Sequence, residues 1–195
     1  MKANPLVLYP TQLALGLLEV TTKAGELRKM SGDDQHDYLK ANAAPVVIGP
    51  QGRLYVYDHH HLARACWEAG IEELYVAVSE DLSHCGTKEF WDVLASKNWC
   101  HLYDQFGNGP HPTANLPDSV RGLGDDPFRS LAWLARKSGA YAKSDAPFAE
   151  FQWANFFRAN LDTHPVVDDF DGATKEALAL AKDPSAQGLP GYLGS

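Results

Sequence analysis

The chain has 195 residues, a formal charge of −8 and a pI near 5.4, with 45% apolar and 22% charged residues. This is the composition of an ordinary globular protein, long enough to bury a core without staples and short enough for one domain or one domain with an appendage. The acidic balance argues against a mainly electrostatic grip on DNA, which needs a basic face, though not against a local basic patch. Cys66, Cys85 and Cys100 are odd in number and form no CxxC pair, so neither a zinc knuckle nor a disulfide framework is indicated. Reduced thiols in a cytoplasmic protein are the expectation. No apolar run approaches the roughly 20 residues that span a bilayer. Pro5, Pro10 and Gln12 interrupt the N-terminal apolar run, which is read as mature protein rather than as a signal peptide.

Tyr9 to Val20 opens the fold, with a turn at Pro10-Thr-Gln12 and a strand or helix end at Leu17–Val20. Ser31-Gly-Asp-Asp34 signals a helix start, and Tyr38-Leu39 is its buried pair. Short β-branched runs at 45–48 and 54–57 flank the turn residues Pro50-Gln-Gly52 and predict a hairpin. A helix over 60–69 follows, with Leu62, Ala65, Cys66 and Ala69 on one face and Gly70 as its stop. A third strand is expected over 74–78. A helical stretch should begin at Asp81-Leu-Ser83 and run through Lys88–Ser96. Gly107–Gly124, rich in proline and glycine, reads as a long connection. Asp125-Asp-Pro127 starts a helix over 128–137. The helix over 148–160 carries Phe148, Phe151, Trp153, Phe156 and Phe157, too many aromatics for one narrow stripe, so it is buried on several sides or forms an interface. A final short helix is expected over 173–182, and the last ten residues are expected to be loose.

The segment that carries chemistry is Asp58-His59-His60-His61 with Arg64, where a strand runs straight into a helix. A helix start has unpaired amides and the positive end of a dipole, and so suits an anion such as phosphate. Helical spacing places His60, His61, Arg64 and Glu68 on the face opposite Leu62, Ala65 and Ala69, with Arg64 able to reach back one turn. Asp58 can cap the helix, orient a histidine or bind a divalent metal. The plainer alternative is a surface run of histidines behind an ordinary cap. A zinc site is the weakest reading, because adjacent side chains on a helix diverge and the HExxH spacing is absent.

The stretch from Pro45 to Val78, PVVIGPQGRLYVYDHHHLARACWEAGIEELYVAV, resembles the core of the ParB/sulfiredoxin superfamily. More closely, the Asp-His-His-His box is similar to that of the ParB-like nuclease family. Pro10-Thr-Gln12, Lys23, Lys88–Trp91, Tyr103–Gly107, Asp125–Leu131 and Glu150–Arg158 look like its accompanying segments, so the likeness covers about residues 9–160. Arg64 matches the last arginine of the box that holds nucleotide triphosphate in ParB proteins. His60 stands where sulfiredoxin has its catalytic cysteine, which argues against that chemistry. Against the free-serine kinases of the superfamily, Asp58, His60 and His61 match a phosphate-facing Asp-Gly-His-His-Arg run, whereas His59 replaces its glycine and Leu62 its arginine.

The resemblance implies an α+β (mixed α/β) fold: a ParB/sulfiredoxin-like core with a small mixed sheet over residues 1–105 and a helical C-terminal extension over 106–195. It implies a nuclease or related phosphate-transfer enzyme with its phosphate or nucleotide site at the Asp58–His61 junction. His60, His61 and Asp58 are the expected catalytic groups; His59, Arg64 and Lys23 would bind phosphate, and Asp58 would share in holding Mg²⁺. A nucleotide or other phosphate-bearing ligand is the expected partner. Nucleic acid is a candidate substrate without strong sequence-specific binding, a homodimer is a candidate state, and no membrane is involved. The rival is a non-catalytic, nucleotide-responsive adaptor. Glu19, the Asp125-Asp126 pair, Arg129 and Arg158 are weaker candidates, each also explained by solvation, capping or ion pairing.

Overall fold

Residues 1–194 are described by the computed structural model, the side chains of 163–165 excepted. They divide into two units, one formed by Met1–Leu15 with Val20–Gly124 and the other by Gly16–Glu19 with the residues from Asp125 onward. Residues 106–124, grouped by the sequence reading with the helical extension, lie in the first unit. Among the described residues, no helix is long and apolar enough to cross a membrane.

The first unit begins with β1 (Lys2–Ala3), β2 (Leu8–Pro10) and β3 (Ala14–Leu15), then α1 (Leu17–Lys29), which belongs to this unit from Val20 on. There follow α2 (Gly32–Ala41), β4 (Ala44–Ile48), β5 (Leu54–Val56), α3 (His60–Glu68), β6 (Leu74–Asp81) and α4 (Thr87–Ser96). Five strands make one mixed sheet in the order β1-β6-β4-β5-β2. The predicted hairpin is present, since β4 and β5 pair antiparallel with Val46 opposite Val56. β2 joins the far edge parallel to β5, and β6 runs parallel to β4 with a register shift after Val46. The central strand β4 is buried on both faces, as Val46 and Val47 are fully covered. On one face Val47, Cys85, Phe90 and Leu94 form a cluster walled by Tyr55, Tyr57, Trp91 and Trp99. The β-branched run and its two-sided burial explain each other, because such side chains pack well on a covered pleat.

Helix α3 ends as Gly70 predicts. Gly70 takes φ +77°, and the amide of Ile71 reaches back to Cys66 O at 2.9 Å, a left-handed C-terminal cap. Elsewhere local expectation gives way. Leu17–Val20 opens a 13-residue helix, not a strand or a helix end. β6 extends to Asp81, and Asp81 Oδ1 accepts from the Ser83 amide at 3.0 Å, a turn where a helix start was expected.

The second unit contains the end of β7 (Gly124–Asp125), then α5 (Pro127–Lys137), α6 (Ala149–Asn160), α7 (Thr163–Asp168) and α8 (Phe170–Leu180). Asp125 and Asp126 both act as caps. Asp125 Oδ1 accepts from the Leu17 amide at 2.9 Å, and Asp126 Oδ1 accepts from Phe128 at 3.0 Å. Arg158 donates to the other oxygen of Asp126 at 2.5 Å, and Arg129 and Arg136 converge on Glu150 at 3.2 and 2.7 Å. These arginines serve ion pairs. Burial pushes the Asp126 carboxyl up from its ordinary value, and the Arg158 charge only partly opposes it. The aromatic helix is buried on several sides. Trp153 and Phe157 are fully covered, and Trp153 stacks on Tyr141 at 4.1 Å. The last residues are docked rather than loose: Trp153 Nε1 donates to Pro190 O at 2.7 Å, the Ala142 amide donates to Gly191 O at 2.8 Å, and Ala186 is fully buried. Ser195, the last of the ten, lies outside the described residues.

Candidate functional site

The strand-to-helix junction turns on one residue. His59 takes a left-handed conformation, φ 60° and ψ 26°, and occupies the N-cap position of α3. A non-glycine residue pays for that conformation, although histidine tolerates it better than most. The resemblance to Asp-Gly-His-His-Arg pairs this position with a glycine, and the positive φ is the physical reason a glycine suits it. The turn swings the chain so that four consecutive polar residues separate. Asp58 is exposed, His59 and His61 are half-buried, and His60 goes inside.

Asp58 does not cap the helix. Its Oδ1 accepts from the amide of the next residue, His59, at 2.6 Å, and the N-cap has no side-chain bond. Its second oxygen has no partner among the described residues. His59 Nδ1 lies 3.3 Å from Asn42 O, which places the proton on Nδ1 and leaves Nε2 as the accepting nitrogen of the neutral ring.

The facing of the histidines corrects the helical-wheel expectation. His60 is only 4% exposed, as buried as Leu62, Ala63 and Cys66, so it does not face solvent. Its Nε2 accepts from the Thr11 amide at 3.3 Å, which assigns the ring proton to Nδ1. This buried bond ties α3 to the segment that follows β2. His61, one position on, keeps partial access to solvent.

Arg64 is heavily engaged. Its Nε donates to Glu68 Oε1 at 2.9 Å. Its Nη1 donates to Val120 O at 3.2 Å and to Arg121 O at 2.8 Å, and its guanidinium lies 4.9 Å from the Trp67 ring centre. Nη2 is the nitrogen left for another partner. Lys23 is half-buried on a separate element, α1, and Glu19 is buried within the second unit. Among the described residues, no three His, Cys, Asp or Glu side chains gather as a metal cage. The unpartnered oxygen of Asp58 is compatible with Mg²⁺, which binds through one or two carboxylates and takes its remaining ligands from water and phosphate.

Sequence reasoning passed over one pair. In the connection after α4, His111 Nε2 donates to Asp104 Oδ2 at 3.0 Å, and Asp104 Oδ1 accepts from the amides of Phe106 and Asn108, both at 2.9 Å. Burial works to raise the Asp104 pKa, but the bonds from Asn108, His111 and Phe106 outweigh it and hold the carboxyl below its ordinary value.

A mixed sheet of five short strands, with a polar box at the β5–α3 junction, defines a ParB-like fold. Residues 4–159 match the family model described as "Putative ParB-like nuclease", and the chain belongs to that family. It is similar along its whole length to a solved structure, "Crystal structure of protein Atu1540 from Agrobacterium tumefaciens", at 38% identity and a TM-score of 0.90, covering 100% of this chain and 98% of that one. No curated protein matches the chain. The fold is thus mixed α/β, a ParB/sulfiredoxin-like architecture with a small sheet and a helical C-terminal extension.

Proposed function

We propose that the chain is a phosphate-handling enzyme of nuclease or phosphotransfer type, with its anion site at the start of α3. The observation that carries this reading is the left-handed turn at His59, which sets exposed Asp58 and half-buried His59 and His61 around a helix N-terminus. The helix dipole and first-turn amides favour a phosphate there. In this reading His61 is the general acid or base, since imidazole exchanges a proton near neutral pH. His59 offers Nε2 as an acceptor for a proton in flight, and only with that proton in place does it donate to a phosphate oxygen. His60 shapes the site from behind through Thr11, and its named role shifts from proton transfer to positioning. Arg64 reaches an anion through Nη2 alone, and Lys23 adds charge from α1. Mg²⁺ on Asp58 would share the negative charge of the phosphate.

The family name carries the nuclease half of the reading, and the acidic chain agrees with a substrate bound without strong sequence preference. The adaptor alternative draws on a specific observation: His60 and Arg64 are both spent on internal bonds, as in a module that binds a nucleotide without turning it over. Calorimetry with ATP, CTP and GTP, with and without Mg²⁺, beside a nuclease assay on single- and double-stranded substrates, separates the two. Binding with turnover that falls by about 10²-fold in His61→Ala supports the enzyme. Binding without turnover supports the adaptor, and neither binding nor cleavage removes the phosphate site altogether.

A further inference from the structure

The connection from Asp104 to Gly124 borders a cleft of about 400 Å³ lying wholly within the first unit. That volume falls in the range of small-molecule sites. Its walls are of two kinds. Leu13 and Pro117 give apolar surface, and Gly122 and Gly124 give bare backbone. A Cβ on Gly122 would stand 2.6 Å from Pro117 Cβ, too close to fit without a shift, and one on Gly124 would stand 3.0 Å from the end of the Gln105 side chain.

The polar groups at the cleft are specific in what they can bind. Among the described residues no lysine or arginine lines it, so they bring no counter-charge for phosphate. Asp104 lines it with its carboxylate already accepting three hydrogen bonds, so it is poorly placed to take a cation. What remains is His111, Gln105 and Asn115. Asp104 accepts from His111 Nε2, which in the neutral tautomer leaves Nδ1 as an acceptor with no partner among the described residues. The two carboxamides each offer donors and an acceptor side by side.

We infer that this cleft binds an uncharged planar heterocycle with an amide or imide edge, whose ring N–H meets His111 Nδ1 and whose carbonyl meets Gln105 or Asn115. The inference does not rest on the phosphate reading at the start of α3. The two are linked only mechanically. Arg64 holds Val120 and Arg121, the residues that precede Gly122, and His60 holds Thr11, two residues before Leu13. Helix α3 thereby braces both sides of the cleft.

The test uses the full chain and follows the His111 imidazole resonances during titration with uridine and inosine, both uncharged and both with an amide or imide edge. Saturable shifts of His111 with one of them are expected. N3-methyluridine, which lacks the ring N–H, should bind about tenfold more weakly than uridine, the effect of one unmade hydrogen bond. Asn115→Ala, at an exposed position that leaves the melting temperature unchanged, and Gln105→Ala should each weaken binding by roughly fivefold or more. Absence of saturable binding by both nucleosides overturns the inference. So does equal affinity for the methylated compound, or displacement of the nucleoside by inorganic phosphate. Inorganic phosphate titrated alone should instead move His59 and His61, so failure at one site is read separately from failure at the other.

Discussion

Replacing Arg64 with alanine distinguishes a phosphate clamp from a structural rivet. The guanidinium holds two backbone carbonyls, pairs with Glu68 and covers Trp67. Val120 is fully buried, so its carbonyl has no ready water to replace the lost donor. A hydrogen bond to a charged group contributes about 1.5–3 kcal/mol, and the buried carbonyl justifies the lower half of that range. Arg121 is exposed and its carbonyl can turn to water, so it adds little. The i,i+4 pair with Glu68 adds about 0.3–0.5 kcal/mol, and the contact with Trp67 about 0.5 kcal/mol. The total is about 2–3 kcal/mol. For a unit of this size it corresponds to a fall in Tm of roughly 6–12 °C. The assay is thermal unfolding in phosphate-free buffer followed by circular dichroism, with calorimetric ligand binding measured well below the transition. Arg64→Lys should recover about half of the loss, because an ammonium cannot reproduce the planar fork that serves Glu68 and two carbonyls together. A Tm for Arg64→Ala within 2 °C of wild type (about the resolution of the method, well under one lost buried bond) would refute the rivet.

Two further outcomes follow from the same geometry. His59→Gly relieves the left-handed strain at the N-cap and gives up a long bond to Asn42, so its Tm should match or slightly exceed that of wild type, whereas His59→Val should lower it by about 1 kcal/mol equivalent or more; paired thermal melts decide this. Cys66 is fully buried and desolvation pushes its thiol up to about 12, so at pH 8 it should stay unmodified by a thiol reagent in the native protein, half-exposed Cys100 should react first, and all three should react after denaturation. Mass spectrometry of the timed adducts checks it, and early labelling of Cys66 contradicts the burial.

The strands flanking Pro50-Gln-Gly52 were legible because β-branched runs and a turn lie within a dozen residues of one another. The α3 stop was legible because Gly70 needs only its own positive φ. The helix at Leu17–Lys29 was not: Thr21, Thr22 and Gly25 weaken its pattern, and its first amide is capped by Asp125, 108 positions away. Strand β2 is three residues ending in proline, and only its pairing with β5 makes it a strand. At the site, the sequence told which groups were present but not which were already occupied. A helical wheel places His60 by angle alone, whereas the turn at His59 and the amide of Thr11 decide that it lies inside. Arg64 meets its carbonyl partners 56 and 57 residues later. Asp104 and His111 sit seven apart in an irregular loop, where no period advertises a pair.

Thr11 has a consequence for how the first unit folds. Its amide binds His60, its hydroxyl donates to Trp99 O at 2.6 Å, and its carbonyl accepts from the His101 amide at 2.9 Å. These bonds close chain separations of 49 and 88 residues and more, so the knot at Thr11 cannot tighten until most of the unit is already in place. Closing long loops costs entropy before it returns contact energy, which puts such contacts late on the folding route. Weakening the knot should therefore leave the refolding rate nearly unchanged and show itself in faster unfolding. Thr11 acts as a latch: it sets how long the native arrangement around His60 persists rather than how quickly it is reached.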